Sequence, residues 1–274
     1  MAITASQVNE LRKMTGAGMM DCKNALVEAN GDTEAAVDIL RKKGQKVAAK
    51  RGDNEAKEGV IFAEAKGAKG FMLQLNCETD FVAKNDDFRN FVQSLLDVAT
   101  KNGATSREEL LGMKYNDKLT VEEKITEQVG VVGEKLDLSN YVMLSADEVV
   151  AYNHPGNQLA TLVCLNKVGE SAADAGKQVA MQVAAMNPIA LDKNGVDQDT
   201  INRELEVGKD LAIQEGKPAE MAAKIAEGRL SKFFKENTLL SQPFVRDNKM
   251  TIEQFLNSTE SGLTVTEFKR FSLS

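Results

Sequence analysis

Histidine occurs once, at His154, and cysteine only three times, at Cys22, Cys77 and Cys164, in a chain of 274 residues. A single imidazole leaves little material for metal chemistry. The cysteines are far apart with no CxxC pair, so neither a zinc knuckle nor a disulfide framework is indicated, and a reducing compartment suits them. No stretch reaches the roughly 20 apolar residues that a membrane-spanning helix needs. Residues 1–10 lack the charged-then-apolar order of a secretion signal, and the expected setting is a bacterial-type cytosol or its equivalent. Positive charge is also in short supply: 34 Lys and Arg stand against 41 Asp and Glu, a formal net charge of −7. That balance argues against a protein that coats nucleic acid, because phosphate binding is driven by clustered positive charge. What is present, 42% hydrophobic and 27% charged residues, is the composition of a folded globular chain. Its length allows about two domains at ~100–200 residues each.

The first fifty residues read as three short helices. Thr4 and Gln7 form a capping box, Val8 and Leu11 recur at helical spacing, and Gly16-Ala17-Gly18 breaks the pattern. Met19, Cys22 and Leu26 share a face of the second helix, Asn30-Gly31 ends it, and Asp32 caps a third carrying Ala36, Ile39, Leu40 and Lys43. So thin a core suits a docking module. From Arg41 to Arg51 run six positive charges without an acid. They read either as an anion-binding arm or as a solvated helix end and linker, and the acidic whole favours the second.

At Gly59 the period changes to two. Val60–Ala63 and Phe71–Cys77 read as strands of a hairpin turning at Gly67-Ala68-Lys69-Gly70, with Phe71, Leu73, Leu75 and Cys77 on one face. Thr79-Asp80-Phe81-Val82 then leads into a helix with Phe88, Val92, Leu95 and Leu96. The order of strand, loop and helix recurs at Leu159–Leu165 and at Val179, Val183 and Met186, which points to two related α+β subdomains. Ile201, Leu205 and Ala212, then Met221 and Ile225 after Gly216-Lys217-Pro218, mark an inserted antiparallel helical pair. Residues 264–271 alternate as a final strand.

Catalytic motifs fail on counting. Between Gly169 and Gly176-Lys177 lie six residues where a phosphate loop has four, and Gln178 stands where a hydroxyl is needed. A Cys77–His154 nucleophilic pair is formally available, but Cys77 falls on the apolar strand face, where a thiol packs as a small hydrophobe. The acids are scattered and read as solvated faces. No catalytic residue, metal or cofactor is therefore expected.

Two places remain informative. Phe81 directly after Asp80, at a strand-to-helix turn, is either an outward anchor or a core staple beneath a Thr79 or Asp80 cap; composition favours the core. Of the neighbours Met19 and Met20, about 100° apart on a helix, one is expected inward and the other free for docking.

The runs from Leu11 to Lys23 (LRKMTGAGMMDCK), from Ala25 to Asp32 and from Asn76 to Lys84 (NCETDFVAK) resemble the elongation factor Ts family. Tyr152-Asn153-His154-Pro155-Gly156, Gly216-Lys217-Pro218, Lys224-Ile225 with Gly228-Arg229, and Gln242-Pro243-Phe244-Val245 follow the same order. The resemblance spans nearly the whole chain. It implies an α+β fold: a ubiquitin-associated-like three-helix domain (residues 1–52) and a core of two related α+β subdomains with antiparallel sheet (53–144 and 145–274). An antiparallel helical hairpin is inserted in the second at about 190–236.

The implied function is guanine-nucleotide exchange in translation elongation, on elongation factor Tu in its GDP-bound and nucleotide-free forms, without covalent chemistry. No direct nucleic-acid or membrane contact is implied, and a homodimer or a two-to-two complex is left open. Thr79, Asp80, Phe81 and Val82 would form the segment associated with magnesium displacement, Phe81 as a wedge; Arg12, Met19, Met20 and His154 would touch the partner. Asn157-Gln158-Leu159-Ala160 departs from the basic residue, isoleucine and glycine common there in the family. The sequence given stops at Ser274, so contacts of the extended carboxyl-terminal module of some relatives are not carried over.

Overall fold

A computed structural model describes residues 3–273; Met1, Ala2 and Ser274 lie outside them. Three helices come first, α1 (Ala5–Thr15), α2 (Met19–Glu28) and α3 (Thr33–Arg51), followed by the hairpin β1 (Glu58–Lys66) and β2 (Lys69–Cys77). Then come α4 (Asp80–Ala83), α5 (Asp86–Asn102), α6 (Arg107–Gly112), α7 (Val121–Val132), β3 (Asp137–Ser145), β4 (Glu148–Asn153) and β5 (Leu159–Leu165). The remainder is α8 (Glu170–Met186), α9 (Gln198–Gln214), α10 (Ala219–Asn237), β6 (Pro243–Phe244), β7 (Asp247–Thr251), α11 (Ile252–Thr259) and β8 (Val265–Ser272). The fold is α+β. The described residues form three sheets, of order β1-β2-β3, β4-β5-β8 and β6-β7. Two compact units divide the chain: one runs up to Phe62 and resumes over Met72–Met143, the other holds Ala63–Phe71 and Leu144–Ser272.

In the first unit the Thr4–Gln7 capping box forms, and Gly16 ends α1 at φ 73°, a left-handed conformation that glycine adopts without strain. Val8, Leu11, Cys22, Ala25, Leu26 and Ala36 make the small core of the three helices. The basic run is the solvated helix end that was expected, with no linker inside it. It is the continuation of α3, whose alanines, lysines and arginines are strong helix formers. Three of its six cations pair with acids: Lys43 with Asp21 at 2.5 Å, Arg41 with Asp38 and Glu123 at 3.8 and 3.9 Å, and Arg51 with Glu78 at 2.8 Å. Gly44 sits inside this helix at a cost of about 1 kcal/mol relative to alanine. A Cβ on Gly130 of α7 would lie 2.5 Å from the Gly44 Cα, so the two backbones touch where α3 crosses α7. This contact packs the three-helix segment, expected as a module over 1–52, into the same compact unit as α7.

After Lys69, β2 is buried on both faces, not only on the one carrying Phe71, Leu73, Leu75 and Cys77. It is the middle strand of its sheet, and α5 follows with Phe88, Val92, Leu95 and Leu96 all buried, as their spacing predicts.

The second unit uses the same order. Its middle strand β5 pairs antiparallel with β4, Glu148 opposite Leu165 through Asn153 opposite Ala160. It also pairs antiparallel with β8, with a bulge at Cys164/Leu165. Helix α8 follows, and Val179 and Val183 enter a core with Val163, Leu239, Ile252, Leu256 and Val265, whereas Met186 ends the helix exposed. Phe244 and Phe255 stack with centroids 4.3 Å apart.

Helices α9 and α10 form the inserted pair, and their seam is made of small residues. Gly208, Ala212, Ala222 and Ala226 are buried, while Met221 is exposed. The face read from Met221 is therefore off by one residue. A Cβ on Gly208 would lie 3.2 Å from Ala226, which is why the closely packed face carries alanine.

Gly130→Ala must push α7 off α3 and should destabilise the protein by about 2–3 kcal/mol, the range of forced overpacking. Gly112→Ala, whose added carbon meets nothing within 4 Å, should be neutral or stabilise by less than ~1 kcal/mol. Urea unfolding midpoints of the two variants measure the contrast.

Candidate functional site

The segment Thr79–Val82 leaves β2 at once. Cys77 is the last strand residue, Thr79 is extended (φ −123°, ψ 153°), and α4 is a single turn. Each step around a helix is about 100°, so Phe81 points some 200° away from Ala83, which is buried. The ring therefore faces outward and is 84% exposed. The core-staple reading fails for this reason. Asn85 starts the next helix at once, accepting hydrogen bonds from the amides of Asp87 (2.7 Å) and Phe88 (3.4 Å).

The loop beneath the ring is held by two carboxylates that exchange backbone partners. Glu134 accepts the amides of Glu78 (3.1 Å) and Thr79 (3.0 Å) on one oxygen and the Thr79 hydroxyl (2.6 Å) on the other. Glu78 in turn accepts the amide of Lys135 (2.6 Å). Its oxygens also take two hydrogen bonds from Arg51 (2.9 and 2.8 Å) and one from Asn54 (3.0 Å). Lys135 reaches back with its ammonium to the carbonyls of Gly52 (2.7 Å) and Asn54 (2.9 Å). Charge-assisted bonds of this kind are roughly twice as strong as neutral ones. They tie the end of α3, the start of β3 and the Phe81 loop into one bracket.

The electrostatics follow this geometry. The amide of Lys135 is the largest influence holding the Glu78 carboxyl below its ordinary value of 4.5, with Arg51 and Asn54 adding to it against partial burial. Asp80 is lowered mainly by its hydrogen bond from Lys84, at 2.6 Å; both groups are exposed. Burial, reinforced by the nearby charges of Glu134 and Glu58, pushes the Cys77 thiol up to about 12. It donates to the Thr79 carbonyl at 3.3 Å. A thiol protonated so far above neutrality is a packing group and not a nucleophile.

The other expected contact residues are spread over both units. Arg12 is exposed on α1 and lines a groove with Asn9, Lys13, Gly16, Asp87, Gln128 and Val131, which brings it beside the start of α5. Met19 and Met20 are both exposed, at 54% and 64%. Only Cys22, Ala25 and Leu26 of α2 face inward, so neither methionine packs as expected of one of them. His154 belongs to the second unit, in the turn from β4 to β5. Its Nδ1 lies 2.9 Å from the Tyr152 hydroxyl. Asn153 anchors that turn, donating to the Ala63 carbonyl (2.9 Å) and accepting the Ala63 amide (2.8 Å). The departure at Asn157 is accommodated: Asn157 takes a left-handed φ of 59°, which asparagine tolerates, and its amide bonds the His154 carbonyl at 3.0 Å. Among the described residues no group of three or more His, Cys, Asp or Glu converges to hold a metal ion. No described helix is long and apolar enough to cross a membrane.

Sequence reading did not mark Glu134, Lys135 or Arg51 as parts of this site. Glu134 follows Gly133, the left-handed cap of α7, and nothing in its neighbourhood distinguishes it from a solvated acid.

These features define an α+β protein whose most distinctive site is a protruding aromatic on a braced loop. A family profile described as Elongation factor TS matches residues 78–274. A Christiangramia forsetii protein named Elongation factor Ts is 49% identical over 273 residues, 99% of this chain and 98% of that protein. One of the same name from Amoebophilus asiaticus is 52% identical over 273 residues, 98% of each chain, and one from Porphyromonas gingivalis is 47% identical over 274 residues, 100% and 99%. The chain belongs to the elongation factor Ts family, which assigns it to translation elongation.

Because the folded-state value of Glu78 lies below 4.5, its contribution to stability is present above that pH and is lost as the pH falls through the folded value. Wild type should therefore lose more stability than Glu78→Gln on going from neutral pH into the acid range. Urea midpoints across that range measure it, and two parallel curves would refute the assignment. Asp80, also lowered, is common to both proteins and cancels.

Proposed function

We propose that this chain is the guanine-nucleotide exchange factor of elongation factor Tu, promoting GDP release so that GTP can bind. The observation that carries the reading is the outward Phe81 ring, fully formed in the free chain on a loop that needs no rearrangement to present it. A rigid exposed aromatic is the kind of side chain that dominates interfaces by filling a partner pocket. The exposed pair Met19 and Met20, with Arg12 and His154, supports the docking half of the reading, since methionine adapts to an irregular partner surface.

The mechanism is thermodynamic coupling and involves no covalent step. A factor that binds the nucleotide-free partner more tightly than the GDP-bound one must weaken GDP by the same factor, because linkage is reciprocal. A thousandfold effect requires about 4 kcal/mol. Burying Phe81 supplies ~1.5–3 kcal/mol, so the wedge disturbs the magnesium and phosphate site of the partner while the docking residues supply the remainder. Asp80 is neutralised by Lys84 in the free chain, so the ring carries the exchange step ahead of the carboxylate. A second reading, docking without exchange, rests on the exposed Met14, Met19, Met20 and Val27 of the three-helix segment.

Phe81→Ala should slow release of fluorescent GDP from elongation factor Tu by about ten- to hundredfold. The fold should be preserved, since the ring is exposed. Stopped-flow kinetics decide this, and an unchanged release rate would leave only the docking reading. Met20→Ala should instead weaken association by about tenfold, read by calorimetry, with a smaller effect on release from the saturated complex.

A further inference from the structure

We propose that Glu134 is a positioning residue for exchange: by bracing Glu78 and Thr79 it fixes the direction of the Phe81 ring. The inference rests on the exchange reading above but concerns a residue that lies outside the wedge segment.

The geometry is specific. One Glu134 oxygen receives two consecutive amides and the other receives the Thr79 hydroxyl, so both oxygens are committed to the two residues that precede α4. The cap within the turn is weak by comparison, the Val82 amide standing 3.5 Å from the Thr79 hydroxyl oxygen. A four-residue helix has almost no internal stability, and its only buried residue is Ala83. Its direction is therefore set from outside. From below, Glu134 receives Thr79. From the other side, Glu78 receives the Lys135 amide and the Arg51 guanidinium. The arrangement is reciprocal, each acid holding the other's loop. It leaves the ring 84% exposed while the two residues before its helix are held through the Glu78 and Thr79 amides, the Thr79 hydroxyl and the Glu78 carboxylate. Pre-organisation of this kind saves the ordering cost that binding would otherwise incur.

Glutamine can replace Glu134 in this role, because an amide oxygen accepts both backbone amides and its nitrogen donates to the Thr79 hydroxyl oxygen. Alanine cannot. The substitution pair thus separates positioning from charge.

The test has two arms. The chain contains no tryptophan, so Phe81→Trp introduces a single indole whose steady-state anisotropy reports how firmly the position is held, with no partner present. Adding Glu134→Ala should lower that anisotropy, and adding Glu134→Gln should keep it near the starting value. Thr79→Val, which removes only the hydroxyl bond, should lower it less and serves if Glu134→Ala does not fold by circular dichroism. Anisotropy unchanged in both Glu134→Ala and Thr79→Val would overturn the proposal.

In the second arm, with Phe81 intact, Glu134→Ala should slow GDP release from saturated elongation factor Tu by about tenfold or more, Glu134→Gln should restore most of the rate, and Glu134→Ala should add little on a Phe81→Ala background. Equal slowing in both backgrounds, or equal loss with glutamine and alanine, would refute positioning through the ring. If Phe81→Ala itself leaves release unchanged, the exchange reading fails, and the anisotropy arm still decides whether Glu134 holds the loop.

Discussion

Two carboxylates that brace each other's loops, Glu78 accepting the amide of Lys135 and Glu134 those of Glu78 and Thr79, are the contact on which the Phe81 end of the first unit depends. Both loops are exits from regular structure, one leaving β2 and one leaving α7, and each would otherwise present free amides. A carboxylate that accepts one or two of them satisfies the loop and orients it. Arg51 extends the bracket to the end of α3, so the helices that carry Met19, Met20 and Arg12 and the loop that carries Phe81 belong to one mechanically continuous unit.

Close approach of backbones is the second constraint. At Gly44 and Gly130, and again at Gly208 and Ala226, the helices meet where side chains are smallest. Glycine is a poor helix former, and its presence inside α3 is a local cost that the crossing with α7 offsets. The same crossing explains why a run of six positive charges stays helical and close to the acidic body. Asp21, Glu123 and Glu78 meet three of its six cations, so half of the charge that suggested an anion-binding arm is paired within the chain.

Local signals were the legible ones. Thr4 with Gln7, the glycine break after α1, the period-two strands around Gly67, the spacing of Phe88, Val92, Leu95 and Leu96, and the Gly216–Pro218 turn each act within a few residues, and each element formed where its signal stood. Orientation was less legible. Met19, Met20 and Met221 are apolar and helical, and whether they face a core depends on which neighbour covers that face. In α2 and α10 the covered face is the one with cysteine, alanine and leucine, because helices packed this closely accept the smaller or better-fitting side chains. The ring of Phe81 is the sharpest instance: a single-turn helix has no amphipathic period to read, and its direction follows from the burial of Ala83.

The sequence by itself determined the element order, the caps and, through two long irregular motifs, the family. Only the tertiary structure decided that Phe81 points outward and what keeps it there. Glu134 stands 55 positions from Thr79 and Arg51 stands 27 positions before Glu78. Hydrogen bonds between such distant residues leave no periodicity in the chain, since they depend on where separate elements come to rest and not on the residues beside them.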